Sequence, residues 1–199
     1  DDGPTHNGPF DIAYFRSIPN ITVMVPKDEN ELQHMLYTAT LLDSPCSLRY
    51  PRGGVVGIGL DSEFRKLEVG KGEILLKGDK LLIIGVGPIL YDALEIFKEM
   101  KVDATVINSR FVKPLDKNLI IQYAKKIKNI ITLEEGTLNG GFGSAVLELL
   151  EDKGIKAQVR RIGIPDNFIE HGRPDIQKKL AGIDKESIKK TIMELKQQR

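Results

Sequence analysis

Residues 81–107 read LLIIGVGPILYDALEIFKEMKVDATVI. The run at 81–84 is continuously apolar and ends in Gly85-Val86-Gly87. Pro88 follows, and proline suits the first turn of a helix because its missing N–H has no intrahelical partner there. Leu90, Ala93, Leu94 and Phe97 then recur at helical spacing on one face. A second apolar run begins at Ala104 and ends at Ile107. Strand, helix, strand in that order predicts a parallel sheet covered on both faces.

The alternation continues outward. Asp116 is placed to cap a helix carrying Leu119, Ile120, Tyr123 and Ile127, and residues 130–133 read as the next strand. A helix is expected over 143–152, with Gly154 as its left-handed terminator, and a strand over 157–162. Helices over 174–180 and 184–196 finish the chain. Gly78-Asp79 lies between apolar runs at 73–77 and 81–84 and predicts a type II′ hairpin, which adds one antiparallel edge strand. Residues 71–199 are therefore expected to form one domain with a mostly parallel mixed sheet.

Residues 1–52 read differently. A short helix carries Phe10, Ala13 and Tyr14 and stops at Pro19. A strand at 21–25 is closed by Pro26. Asp28 and Glu31 have capping-box spacing before a helix with Leu32, Met35, Leu36 and Ala39 on one face. Residues 46–50 form a second strand. Two strands cannot bury both faces of a sheet, so this is about half of a doubly wound domain whose remaining strands lie elsewhere. Residues 1–50 should then be less ordered than 71–199 or be covered by other polypeptide. Residues 53–70, rich in glycine and then in charge, are a linker.

Composition excludes several classes. The 199 residues carry 29 Lys+Arg against 28 Asp+Glu, a net charge of +1, so no nucleic-acid partner is expected. The single cysteine, Cys46, rules out an internal disulfide and a cysteine-built metal centre. The longest apolar stretch, 81–90, is broken by Gly85, Gly87 and Pro88 and falls far short of the roughly 20 residues that span a bilayer. No membrane partner and a cytoplasmic location are expected. Residue 1 is Asp, inside the polar loop DDGPTHNGPF, which suggests a piece of a longer polypeptide.

That loop is the first candidate site. Asp2 and His6 stand four apart among glycines and prolines, which let backbone approach a ligand and stiffen the loop. A neutral His6 there can take or give a proton near neutral pH; the plainer reading is a capped turn in which Asp2 binds backbone amides. The second candidate is Arg52, in Tyr50-Pro51-Arg52-Gly53 just past a strand's carboxyl end, where open α/β sheets bind ligands. Its guanidinium can fork onto a carboxylate or phosphate. Arg49 reads as a structural partner on the strand.

Other groups carry less. The cluster from Gly140 to Ser144 lacks the Lys-Ser/Thr pair of a phosphate loop, and Gly85-Val86-Gly87 has Leu90 in the third glycine's place. Glu134 and Glu135, as neighbours on a strand, point to opposite faces. His34 falls off the apolar helix face and is expected to face solvent; His171 is a loop histidine. The spacing of the three histidines and Cys46 builds no metal site.

Taken together, Asp2-Gly3-Pro4-Thr5-His6, Pro26-Lys27-Asp28-Glu29-Asn30-Glu31, Tyr50-Pro51-Arg52-Gly53, Arg110-Phe111-Val112-Lys113-Pro114-Leu115-Asp116 and Gly163-Ile164-Pro165-Asp166 are a recognisable series. With it, the whole chain resembles the carboxyl-terminal third of the 1-deoxy-D-xylulose-5-phosphate synthases, a thiamine-diphosphate family of the transketolase superfamily. Asn7 departs from the glutamine of many relatives. The resemblance makes residues 1–52 the end of the pyrimidine-binding domain and 71–199 the transketolase C-terminal domain. It implies a homodimeric, Mg2+-dependent transferase. That enzyme condenses pyruvate with glyceraldehyde 3-phosphate, losing CO2, to make a precursor of isoprenoids, thiamine and pyridoxal. Asp2 and His6 match its active-site Asp and His, and Arg52 the arginine that holds the acceptor's phosphate. The family's diphosphate–magnesium motif and its activating glutamate are absent from these residues and are expected upstream. The resemblance therefore implies that the isolated chain neither binds thiamine diphosphate tightly nor turns over. Two other readings stand beside it: a small subunit of a split transketolase or of a 2-oxoacid dehydrogenase, and a non-catalytic assembly module.

Overall fold

The computed structural model describes residues 3, 4 and 6–197. Its elements, in chain order, are α1 (Asp11–Ser17), β1 (Thr22–Met24), α2 (Glu29–Thr40), β2 (Cys46–Leu48), β3 (Glu73–Leu76), β4 (Leu81–Gly85), α3 (Ile89–Met100), β5 (Ala104–Asn108), β6 (Phe111–Lys113), α4 (Lys117–Ala124), β7 (Asn129–Thr137), α5 (Phe142–Asp152), β8 (Gln158–Ile164), α6 (Pro174–Leu180) and α7 (Lys185–Gln197).

The apolar runs of the second half become the centre of a five-stranded sheet ordered β3-β5-β4-β7-β8. β5, β4, β7 and β8 are mutually parallel and β3 is the antiparallel edge. Alternate residues of β4 feed two cores. Leu81 and Ile83 pack with Ile89, Ala93 and Ile96 of α3 and with Ile188 and Ile192 of α7. Leu82 and Ile84 pack with α4 and α5, and with Ile12, Val23 and Val25 from the first fifty residues. Ile12, Val23 and Ile84 are fully buried, each contributing roughly 1.5–3 kcal/mol. The second face of the large sheet is thus partly covered by α1 and β1 of the first fifty residues.

The small sheet has the order β2-β1-β6. β1 and β2 run parallel, and β6 joins β1 antiparallel. One of the neighbours that the first strands need therefore comes from within this chain. The chain leaves β5 at Asn108 and turns through Arg110, whose φ of 59° is left-handed. It then enters the other sheet, with the Val25 N–H donating to the Arg110 carbonyl at 2.8 Å. The sequence reading missed β6, because three residues are too short to show a period.

The hairpin expectation is overturned. β3 and β4 are not paired; β5 lies between them, with Glu73 opposite Asn108 and Ile74 opposite Ile107. A type II′ turn needs positive φ at its first central residue, and Gly78 is not among the positive-φ residues. Its role is close approach. The Thr105 hydroxyl accepts from Gly78 N–H at 3.1 Å, and a Cβ on Gly78 would sit 2.4 Å from Asp103 Oδ1.

A buried polar cluster joins the two halves. Asp28 caps α2 by accepting from Glu31 N–H at 2.7 Å, as the capping-box spacing requires. The Glu31 carboxylate, 3% exposed, does not return to the cap residue. It accepts from Lys27 N–H (2.8 Å), Asn108 Nδ2 (2.9 and 3.0 Å) and Arg110 Nε (2.7 Å). Glu73 of β3 completes the cluster against Arg110 Nη2 (2.5 Å) and Lys27 Nζ (2.8 Å), and the Tyr91 hydroxyl donates to Asp28 at 2.8 Å. Burial alone would raise the Asp28 and Glu73 carboxyls. The Glu31 N–H, Tyr91 and Lys27 outweigh it at Asp28, and Lys27, Asn108 and Arg110 do so at Glu73, so both titrate below the ordinary carboxylate range. Folded values below unfolded ones supply stability above about pH 4 that is lost as pH falls through the folded values. The melting temperature should accordingly fall as the pH is lowered from 5 to about 3. Glu31→Ala, which takes one carboxylate from Lys27, Asn108 and Arg110 and leaves them to share Glu73 of β3, should cost about 2–3 kcal/mol in denaturant titration at pH 7.

Candidate active site

The chain runs past β2 with the Arg49 N–H still in the ladder, donating to the Met24 carbonyl at 2.9 Å. This sends the Arg49 side chain to the seam between the halves. Its Nη2 donates to the Glu135 carbonyl at 2.8 Å. Asp11 Oδ2 lies 3.5 Å and Glu135 Oε2 3.7 Å from the guanidinium. Arg49 is thus a bridge from β2 to β7, in keeping with a structural partner. Lys178 of α6 reaches Glu135 from the other side, with Nζ 2.5 Å from Oε1.

The loop at residues 6–10 is fastened to the same seam. The Thr137 N–H donates to the Pro9 carbonyl at 2.8 Å, and Asn7 Nδ2 donates to the Ile169 carbonyl at 3.4 Å. Phe10 meets Phe168 edge to face, with ring centroids 5.9 Å apart. Between the loop, β7 and α6 lies a cleft of about 300 Å³ lined by, among others, His6, Asp11, Arg49, Arg52, Glu135 and Lys178. His6 and Arg52, read from separate motifs, share this cleft and are both exposed at its surface. Asp2 lies outside the described residues.

Arg52 opens the linker, and α2 holds that linker by its backbone. Glu29 accepts from the N–H groups of Val56 (3.2 Å), Gly57 (2.6 Å) and Ile58 (2.6 Å). Asn30 accepts from Asp61 N–H and Thr38 from Leu67 N–H, each at 2.8 Å. His34 belongs to this series, which corrects its expected solvent-facing position: it is 3% exposed. Its Nδ1 accepts from Arg65 N–H at 3.1 Å, so Nε2 carries the proton and donates to Asp61 at 2.9 Å. Helical periodicity could not reveal this, because the covering comes from a linker that folds back over the polar face. His171 is exposed in the loop before α6 and does not line the cleft.

The glycine cluster is occupied by a side chain of its own domain. The N–H groups of Phe142 and Gly143 at the start of α5 both donate to the Glu134 carboxylate, at 2.8 Å each. The place an anion would take is filled by a side chain. Burial pushes the Glu134 carboxyl up despite these two bonds. Glu135, one residue on, faces the cleft, as strand alternation requires. Sequence reading did not single out Glu135 or Lys178 as cleft residues; the strand's alternation was the available signal for Glu135, whereas Lys178 looks like any basic residue of a surface helix. Among the described residues no group of three or more His, Cys, Asp or Glu could hold a metal, and no helix is long and apolar enough to cross a membrane.

The comparisons with known proteins bear on this geometry. The model of the transketolase C-terminal domain matches residues 70–188, and that of the transketolase pyrimidine-binding domain matches 1–56. The chain belongs to the transketolase family. Within it, the chain is 54% identical over 189 residues to 1-deoxy-D-xylulose-5-phosphate synthase 1 of Geobacter sulfurreducens, covering 92% of this chain and 30% of that one. It is 46% identical to the synthase of Halothermothrix orenii, covering 100% of this chain and 32% of that one. The chain therefore spans about a third of the length of the curated relatives it matches. A split-gene transketolase, described as an inactive β4 tetramer, superposes with a TM-score of 0.87 at 26% identity over 96% of this chain and 63% of its own. The transketolase of Campylobacter jejuni shares the fold at a TM-score of 0.70 and 17% identity, covering 98% of this chain and 29% of its own.

The packing of the cluster is directly testable. A Cβ on Gly141 would lie 2.0 Å from the Thr137 carbonyl oxygen and 2.4 Å from Glu134 Oε2. Gly141→Ala should destabilise the chain by roughly 2–3 kcal/mol in thermal or urea unfolding.

Proposed function

We propose that this chain supplies the substrate-facing wall of a synthase that joins pyruvate to glyceraldehyde 3-phosphate with loss of CO2, giving 1-deoxy-D-xylulose 5-phosphate, a precursor for isoprenoids, thiamine and pyridoxal. The convergence of His6 and Arg52 on one cleft carries the reading, and identities of 46–54% to synthases support it over other transketolase-family activities. Residues 1–52 act as the end of a pyrimidine-binding domain, 53–70 as a linker and 71–199 as a C-terminal domain.

The donor set of the cleft is rich in cations, which fits the anionic ends of both substrates. Arg52 forks onto the acceptor's phosphate and fixes its orientation, a positioning contribution to the rate. His6 exchanges a proton with substrate oxygen near neutral pH, assisted by Asp2. Thiamine diphosphate with Mg2+, when bound, supplies the centre that takes up the electron pair as pyruvate loses CO2. Its diphosphate and metal are held by polypeptide beyond the described residues, so the 199-residue chain by itself binds it weakly and does not turn over. In the assembled protein a homodimer in the cytoplasm is the working form.

A second reading has one observation in its favour, the 0.87 TM-score with the split-gene transketolase: the chain is a small subunit that transfers a two-carbon ketol unit from a ketose. Assays of the full-length protein separate the two. Product from pyruvate and glyceraldehyde 3-phosphate supports the synthase; ketol transfer from a ketose in its place overturns it. With the synthase, His6→Ala should lower kcat by about 100-fold, and Arg52→Ala should raise KM for the phosphorylated acceptor roughly tenfold or more. Calorimetry on the 199-residue chain should show no micromolar binding of thiamine diphosphate.

A further inference from the structure

We infer that Lys178, on the first of the two closing helices, is a substrate-binding residue of the cleft: its ammonium rests on Glu135 and receives the anionic group of an incoming substrate. The inference deepens the functional reading above and rests on it. Nothing in the motifs points to α6. The structure nevertheless brings Lys178 into the same cleft as His6 and Arg52.

Three observations carry the assignment. First, the pairing is unequal. Glu135 is 7% exposed and fixed on the interior strand β7, whereas the Lys178 side chain is 37% exposed on a short surface helix. The lysine is the partner that can move. Second, the pair is incomplete. Glu135 Oε1 and Oε2 are buried without a hydrogen bond of good geometry, although Lys178 and Arg49 stand within ion-pair distance. An ammonium has three donors, and among the described residues Glu135 is the carboxylate within ion-pair distance of Lys178, so the pair takes up only part of the ammonium's capacity. Third, the charges favour an anion. Arg49, Arg52 and Lys178 face Asp11 and Glu135 across the lining, and Arg49 is already committed between those two carboxylates. Asp92 on α3 also feels Lys178, and burial, the larger effect, raises its carboxyl from the ordinary value.

A lysine that only neutralised Glu135 would explain the ion pair, and the test separates the two roles. In the full-length protein, KM and kcat are measured for glyceraldehyde 3-phosphate, for unphosphorylated D-glyceraldehyde and for pyruvate. For Lys178→Ala we expect KM for the phosphorylated aldehyde to rise about tenfold, and the preference for it over the unphosphorylated one to fall by a similar factor. Lys178→Arg should recover most of the loss. A rise confined to pyruvate supports the same anion-binding role with a carboxylate as its ligand. Equal losses with charged and uncharged aldehydes overturn the proposal, as does recovery of wild-type KM in Lys178→Ala/Glu135→Gln, since the lysine would then be a counter-ion alone. If the wild-type protein turns over neither substrate pair, the functional reading fails. Calorimetric titration with inorganic phosphate then decides: a roughly tenfold weaker affinity in Lys178→Ala supports the role, and an unchanged affinity overturns it. Should Lys178→Ala melt early, Lys178→Gln is compared with Lys178→Arg in the same titration.

Discussion

The joining of the two halves depends on one carboxylate being shared. Glu31 leaves α2 and finds its partners on the other half of the chain, in Asn108 and Arg110. A buried carboxylate cannot remain unpaired without a penalty of several kcal/mol, so α2 and the end of β5 must stay together. That requirement fixes where the chain turns out of the large sheet. Arg110 adopts a left-handed conformation that an arginine rarely takes, and its bonds to Glu31 and Glu73 offset the strain. The turn delivers β6 to the open edge of β1. The cleft takes its walls from both halves, so the geometry of this junction is also the geometry of the site.

The same logic separates what could be read locally from what could not. α3 was legible because its apolar residues recur at helical spacing, β4 because it is an unbroken apolar run, and the Asp28 and Asp116 caps because a cap is a local bond. Pairing was not legible. The run at 73–77 looks like one arm of a hairpin, yet β3 pairs with β5, since Gly78 is used for close approach to the start of β5 rather than for a turn. β6 was invisible for a related reason: three residues become a strand only because a neighbouring edge needs donors and acceptors. His34 shows the limit on faces. Its position on the polar side of α2 was read correctly, but the linker covers that side.

Site residues divide in the same way. His6 and Arg52 stand in dense motifs of glycine and proline, which local composition singles out as candidates, although composition alone favours a capped turn for the first and a surface ion pair for the second. Glu135 and Lys178 have no such setting. They become site residues only when β7 and α6 are folded against the amino-terminal loop, a long-range event that no window of sequence records. Glu134 is the instructive neighbour. It has the same side chain one residue earlier, turned to the opposite face, and its whole capacity goes into the two amides that start α5. Strand alternation alone assigns one glutamate to folding and the other to the cleft.

This division of labour bears on what the second half of the chain is for. If it served assembly alone, its charges at the cleft would need only to cancel. Arg49 does cancel: it is locked between two carboxylates and a backbone carbonyl, so it sets a fixed field and can spare little for a ligand. Lys178 is held on Glu135 and about a third exposed, and because Arg49 also stands beside Glu135 the carboxylate does not depend on the lysine alone. A contact that the fold can spare, in a cleft lined by Arg49, Arg52 and Lys178 against Asp11 and Glu135, is better understood as one end of an exchange. Lys178 stays on Glu135 while the cleft is empty of anions and shifts toward the substrate when one arrives. Charge is then conserved on both sides of the exchange, and Glu135 never loses its counter-ion, because Arg49 remains beside it.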